Sequence, residues 1–126
     1  MMRPFIDSTA MLRDGPALAT RMDEHGYLFL RQVLPVASLR ALQAQIGALA
    51  QQAGWLRADQ PVSACIAEPA GFCVDPDTIY LRTLRKINRL QDYHGLKHHP
   101  ALMGLLQTVC GAPVFPHPRE IGRAHV

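Results

Sequence analysis

Asp23-Glu24-His25-Gly26-Tyr27-Leu28-Phe29-Leu30-Arg31-Gln32-Val33-Leu34-Pro35 sets the end of one helix, a short apolar run and the start of a second helix side by side. Upstream, Gly15-Pro16 can open a helix, because proline is tolerated where a backbone N–H lacks a partner anyway. Leu18, Met22 and His25 fall on one side of that helix, and Gly26 stands where a left-handed cap is wanted. Tyr27-Leu28-Phe29-Leu30 is aromatic-rich and bounded by Gly26 and Arg31, which reads as a strand. Being apolar on consecutive residues, it predicts a strand covered on both faces.

Pro35 then starts a second helix. Leu39, Leu42, Ile46, Leu49 and Ala53 recur at steps of three or four, the period of one buried stripe, and Gly54 closes it. Over 54–74 the pattern dissolves around Pro61, Pro69 and Gly71, predicting a long loop with Trp55 as a packing anchor at its start. Asp75-Pro76-Asp77 predicts a third helix start, with Asp75 as the cap and Asp77 near the positive end of the dipole. Ile79, Leu81, Leu84, Ile87 and Leu90 supply its apolar face to about Tyr93. His99-Pro100 restarts a helix striped by Leu102, Leu105, Leu106 and Val109, ended by Gly111; residues 112–117 then read as extended.

The chain has 126 residues, room for one small domain, and 48% hydrophobic against 18% charged residues, which excludes a disordered segment. No apolar run approaches the ~20 residues of a membrane span, and no signal peptide opens the chain, so a cytoplasmic protein with no membrane partner is expected. The net charge of +3 is modest. Arg82, Arg85, Lys86 and Arg89 gather without a denser basic face or base-reading aromatics, so no nucleic-acid partner is expected. Cys65, Cys73 and Cys110 form no Cys-x-x-Cys and read as reduced structural residues.

Glu24-His25-Gly26-Tyr27-Leu28-Phe29-Leu30-Arg31 through Leu34-Pro35 resembles the entry of the phytanoyl-CoA dioxygenase family into its first strand and following helix. Arg85-Lys86-Ile87, then Leu96 to Leu106 around His99-Pro100-Ala101-Leu102, resembles the family's next segment. Gly111-Ala112-Pro113-Val114 and His117-Pro118-Arg119 resemble the strand before its metal motif. The resemblance implies an α+β fold: the helix-rich N-terminal part of a double-stranded β-helix, jelly-roll or cupin-like, with the barrel incomplete. It implies an enzyme using Fe(II), 2-oxoglutarate and oxygen to hydroxylate a small-molecule substrate, with iron on a His-x-Asp…His triad.

The chain departs from that pattern at the metal. None of His25, His94, His98, His99, His117 or His125 is followed two positions later by Asp or Glu. Ile121-Gly122-Arg123-Ala124-His125-Val126 matches one reading frame of a common short-read sequencing adapter, and Glu120 fits the preceding codon. The expectation is therefore an oxygenase portion over 1–119 and a non-native tail over 120–126. A fragment of this kind would be inactive alone and bind neither Fe(II) nor 2-oxoglutarate stably.

Under the resemblance, Lys86 aligns with a lysine near the 2-oxoglutarate carboxylates, where an ammonium is a suitable point charge. The competing reading is a solvated lysine in a basic helix, with Arg85 as its rival for the same role. His94 and His98 have the i, i+4 spacing of a metal pair, yet Gly95 and Pro100 interrupt the helix and no carboxylate completes the set. His117 and Arg119 could face an oxygenase pocket. A reading of a different class also stands: a small helical binding or regulatory protein using the basic helix from Arg82 to Arg89.

Overall fold

The structure, a computed structural model, describes residues 3–117. Asp14 caps the first helix, its carboxylate accepting the Ala17 N–H at 3.0 Å, with Pro16 in the first turn. This helix, α1 (Gly15–His25), ends where Gly26 takes φ 72° and donates its N–H to the Met22 carbonyl at 2.7 Å. Pro35 precedes α2 (Val36–Gln52), and Asp77 caps α3 (Thr78–Asn88). The shorter α4 (Gln91–Lys97) and then α5 (Pro100–Cys110) follow. These helices form two compact units, one drawn from 1–33 and 97–126, the other from 34–96.

The expected α+β, jelly-roll-like architecture is not what forms. The described residues are 57% helical and 3% strand, with no sheet. The 27–30 run is extended, but its ladder is a single parallel bridge between Asp7 and Phe29. A strand needs successive backbone partners, and among the described residues Phe29 has only the one beside Asp7. Residues 113–117 likewise form no ladder, and Pro113 and Pro116 bring no N–H to one. Residues 118–126, including Arg119 and the adapter-like tail, lie outside the described residues.

In the first unit α1 packs on α5. A Cβ at Gly15 would stand 2.7 Å from the Thr108 carbonyl oxygen, so this close approach requires glycine. Leu18 is wholly buried there, whereas Met22 is exposed, so the stripe read from the sequence is only half realised. Asp7 ties the chain start to the 27–31 run. Its carboxylate accepts the Thr9 N–H at 2.8 Å and the Thr9 hydroxyl, and lies 3.4 Å from Arg31 Nε. Thr9 Oγ1 in turn accepts the Arg31 N–H at 2.8 Å, and the Arg31 guanidinium lies 5.2 Å from the Phe29 ring centre.

The Thr9 hydroxyl and N–H hold the Asp7 carboxyl below its ordinary 3.8, and Arg31 adds to this. A carboxyl lowered on folding stabilises above its unfolded pKa, and that contribution disappears as pH falls through the folded one. Asp7→Asn is therefore expected to remove part of the acid sensitivity below pH 3.8, read as the acid-unfolding midpoint by circular dichroism. An unchanged acid-unfolding curve in Asp7→Asn would refute the link.

In the second unit α2 contacts α3 and the short 3-10 turn Val62–Ala64. Leu42 and Gly47 are its buried positions, Ile46 and Leu49 are half-buried, and Leu39 is exposed. The 54–74 segment is a loop tied down by short 3-10 turns and one bridge. Leu56 and Ala67 form an antiparallel bridge, with Arg57 N–H to Ile66 O at 2.9 Å and Glu68 N–H to Trp55 O at 2.8 Å. Trp55 is half-buried, donating its indole N–H to Cys73 Sγ at 3.1 Å beside the Tyr80 ring. Among the described residues no helix is long and apolar enough to cross a membrane.

Candidate functional site

Asp77, not Asp75, caps α3. Its carboxylate accepts from the N–H groups of Ile79 at 2.7 Å and Tyr80 at 3.3 Å. Arg85 and Lys86 then fall in the last turn, where cations complement the negative end of the helix dipole. With 3.6 residues per turn, Arg82, Arg85, Lys86 and Arg89 at i, i+3, i+4 and i+7 share one face. None of the four makes an ion pair among the described residues.

Where α3 meets α2, a cleft of about 140 Å³ opens. Lys86, Arg82, Thr83 and Gln52 bring polar groups to it, above Leu49 and Ile79. Thr83 is 5% exposed and is the buried polar residue of α3. The C-terminal carbonyls of α2 would disfavour an anion nearby, but they are engaged: Leu49 O by Ala53 N–H, Ala50 O by Trp55 N–H, and Gln51 O by Gly54 N–H. Two unpaired cations, a hydroxyl and an amide on an apolar floor suit a small carboxylate.

Lys86 is thus on the α2-facing border of the basic face, whereas Arg85, its rival in the sequence, does not line the cleft. Arg82 was read from the sequence only as part of the basic face, and Gln52 was not singled out as a site residue. The i, i+4 spacing of Arg82 and Lys86 was a legible signal; Gln52 had none, because its place depends on how α2 meets α3.

The histidines are not brought together. His94 Nε2 contacts the Asn88 carbonyl, bracing the break between α3 and α4 that the sequence read as one continuous helix. Helix α4 ends at Lys97, one residue before His98, so the i, i+4 pair does not share a helix. His99 caps α5, its Nδ1 accepting the Ala101 N–H at 3.2 Å. The His117 carbonyl accepts from Lys97 Nζ at 3.5 Å. No group of three His, Cys, Asp or Glu side chains comes together among the described residues. These residues do not fit a bound iron.

No protein-family model matches the chain, and neither the curated proteins nor the solved structures give a match.

Proposed function

We propose that this chain is a helical, co-substrate-facing portion of an Fe(II)- and 2-oxoglutarate-dependent oxygenase related to the phytanoyl-CoA dioxygenases, and that Lys86 addresses a 2-oxoglutarate carboxylate. The observation that carries the reading is the placement of Lys86 beside Arg82 and Thr83 in the α2–α3 cleft. The ordered resemblance around Gly26-Tyr27 and Arg85-Lys86-Ile87 supports it. In such enzymes 2-oxoglutarate is oxidised to succinate and CO2 as a small organic substrate is hydroxylated. The part of this chain is limited to holding charge: Lys86 and Arg82 face the carboxylate, Thr83 offers a hydroxyl, and Leu49 with Ile79 supplies the apolar surface beneath. No metal ligand set is contributed by the described residues, so the chain alone does not turn over.

Titration of the 126-residue chain with 2-oxoglutarate, followed by amide shifts, tests this. Weak binding is expected, near ~1 mM or a free energy of about −4 kcal/mol, with the largest shifts at Arg82, Thr83 and Lys86. Lys86→Ala should weaken it about tenfold, or ~1.4 kcal/mol. Shifts that avoid α3, or a Lys86→Ala variant that binds as well as the parent, would overturn the assignment. Succinate release from the chain with added Fe(II) would overturn the claim that it does not turn over alone.

A second reading is favoured by a specific observation, the face of Arg82, Arg85 and Lys86 on α3 with Arg89 at its C-cap, without ion pairs among the described residues. A binding protein using that face for an acidic partner would lose affinity steeply with salt and would need Arg85 and Arg89 as much as Lys86. Equal losses in the Arg85→Gln and Lys86→Gln variants would favour it over the oxygenase reading.

A further inference from the structure

A different face of α2 carries a second concavity, unconnected with Lys86. Arg40, Ala44 and Ala48, four residues apart, form one side, and Val62 and Ser63 the other, of an open groove of about 610 Å³. That volume lies within the ~300–1,000 Å³ of small-molecule sites. The walls are held by specific contacts. Gly47 lets the Val62 turn sit directly on the helix, since a Cβ there would come within 2.7 Å of Val62 Cγ1. Cys65 closes the turn in a left-handed conformation, φ 51°, unusual for a residue with a side chain. It is held there by its N–H to Val62 O at 3.0 Å and by Gln43 Nε2 reaching its Sγ at 3.4 Å. Strained backbone persists where its surroundings over-determine it, and such positions cluster at ligand clamps.

The chemistry of the walls is divided. Ala44, Ala48 and Val62 offer a shallow apolar bed, and Arg40 stands at its border without an ion pair among the described residues. We propose that this groove binds a small amphipathic monocarboxylate, an arylalkyl or branched alkyl acid. Its hydrocarbon lies on Ala44, Ala48 and Val62, and its carboxylate meets the Arg40 guanidinium, with the Ser63 hydroxyl as a further donor. A single guanidinium matches one carboxylate through two parallel hydrogen bonds. The small side chains leave room for a flat or branched body that a leucine-lined wall would exclude.

The test uses the whole chain, 4-phenylbutyrate and its uncharged primary amide, with binding followed by amide shifts. Saturable binding of the acid is expected at Ala44, Ala48 and Ser63, with the amide at least about tenfold weaker, or ~1.4 kcal/mol. Arg40→Gln, at an exposed position, should reproduce that tenfold loss. Ala48→Phe should abolish binding at Ala44 and Ser63 by filling the bed, while Arg21→Gln, on α1 and outside both clefts, should leave it unchanged. Equal affinity for acid and amide, full affinity in Arg40→Gln, shifts mapping to α3, or no saturation by ~10 mM would each overturn the proposal.

Discussion

Leu18→Ala is expected to destabilise the first unit by about 3–5 kcal/mol, the upper part of the range for truncating a buried leucine. Leu18 has no exposed surface, and only Leu42 joins it as a buried large apolar side chain among the described residues. The cost of such a truncation depends on how far the surroundings can collapse into the void. Here they are restrained, because Gly15 already lies against the Thr108 backbone and α1 cannot slide nearer to α5 at that end. A loss of this size is a large share of the ~5–15 kcal/mol that holds a typical domain folded. Urea unfolding by circular dichroism, with exchange at the Gly26 amide bonded to Met22 O, measures it. Met22→Ala, at 38% exposure, is the control and should cost far less. A Leu18→Ala loss below ~1 kcal/mol would show that α1 and α5 are not held by this side chain.

Gly71→Ala is expected to be nearly as damaging in the second unit, at about 3 kcal/mol, the upper end for overpacking. A methyl group at Gly71 would collide with the Gly54 carbonyl oxygen and come within 3.4 Å of the Trp55 Cα. Both neighbours are backbone, so no rotamer change relieves the overlap. Gly54 has little freedom to retreat, because its φ of 78° and its N–H bond to Gln51 O fix the exit from α2. The strain would reach Trp55, whose indole N–H bonds to Cys73 Sγ and whose carbonyl accepts from Glu68. As the chain's one tryptophan, Trp55 reports the change directly. A red-shifted emission and a lowered urea midpoint are expected. Gly95→Ala, within α4 and with nothing within 4 Å of a new Cβ, should leave the emission unchanged and should not lower the urea midpoint. Parent-like emission in Gly71→Ala would mean that the Gly54–Gly71 approach is not needed for the fold.

The helices were largely legible because their signals are local. Gly26, Gly54 and Gly111 mark exits and take φ of 72°, 78° and 63°, while Pro16 and Pro100 sit in first turns. Two boundaries were misread for reasons equally local in form but decided elsewhere. The cap moved from Asp75 to Asp77, whose carboxylate is the one that reaches Ile79 and Tyr80. The helix read through to Tyr93 breaks after Asn88, where the His94 ring contacts the freed carbonyl.

The sheet was misread because a strand is a pair. Tyr27-Leu28-Phe29-Leu30 has strand composition, but composition does not supply a partner ladder, and among the described residues only Asp7 meets it at Phe29. Burial was misread for a related reason. A period of three or four names a stripe but not what covers it, which leaves Leu39 and Met22 exposed while Gly47, with no side chain, is buried under Val62.

By itself, then, the sequence determined most helix starts and exits, the clustering of four cations toward the C-terminal end of α3, and the lack of any histidine followed two positions later by an acid. These are properties of neighbouring residues, governed by φ, by capping and by helical period. Tertiary structure alone decided that Lys86, not Arg85, borders a cleft with Thr83 and Gln52, and that Val62 closes on α2 to make the Arg40 groove. Those arrangements join side chains from elements remote along the chain, and no local energy term specifies them.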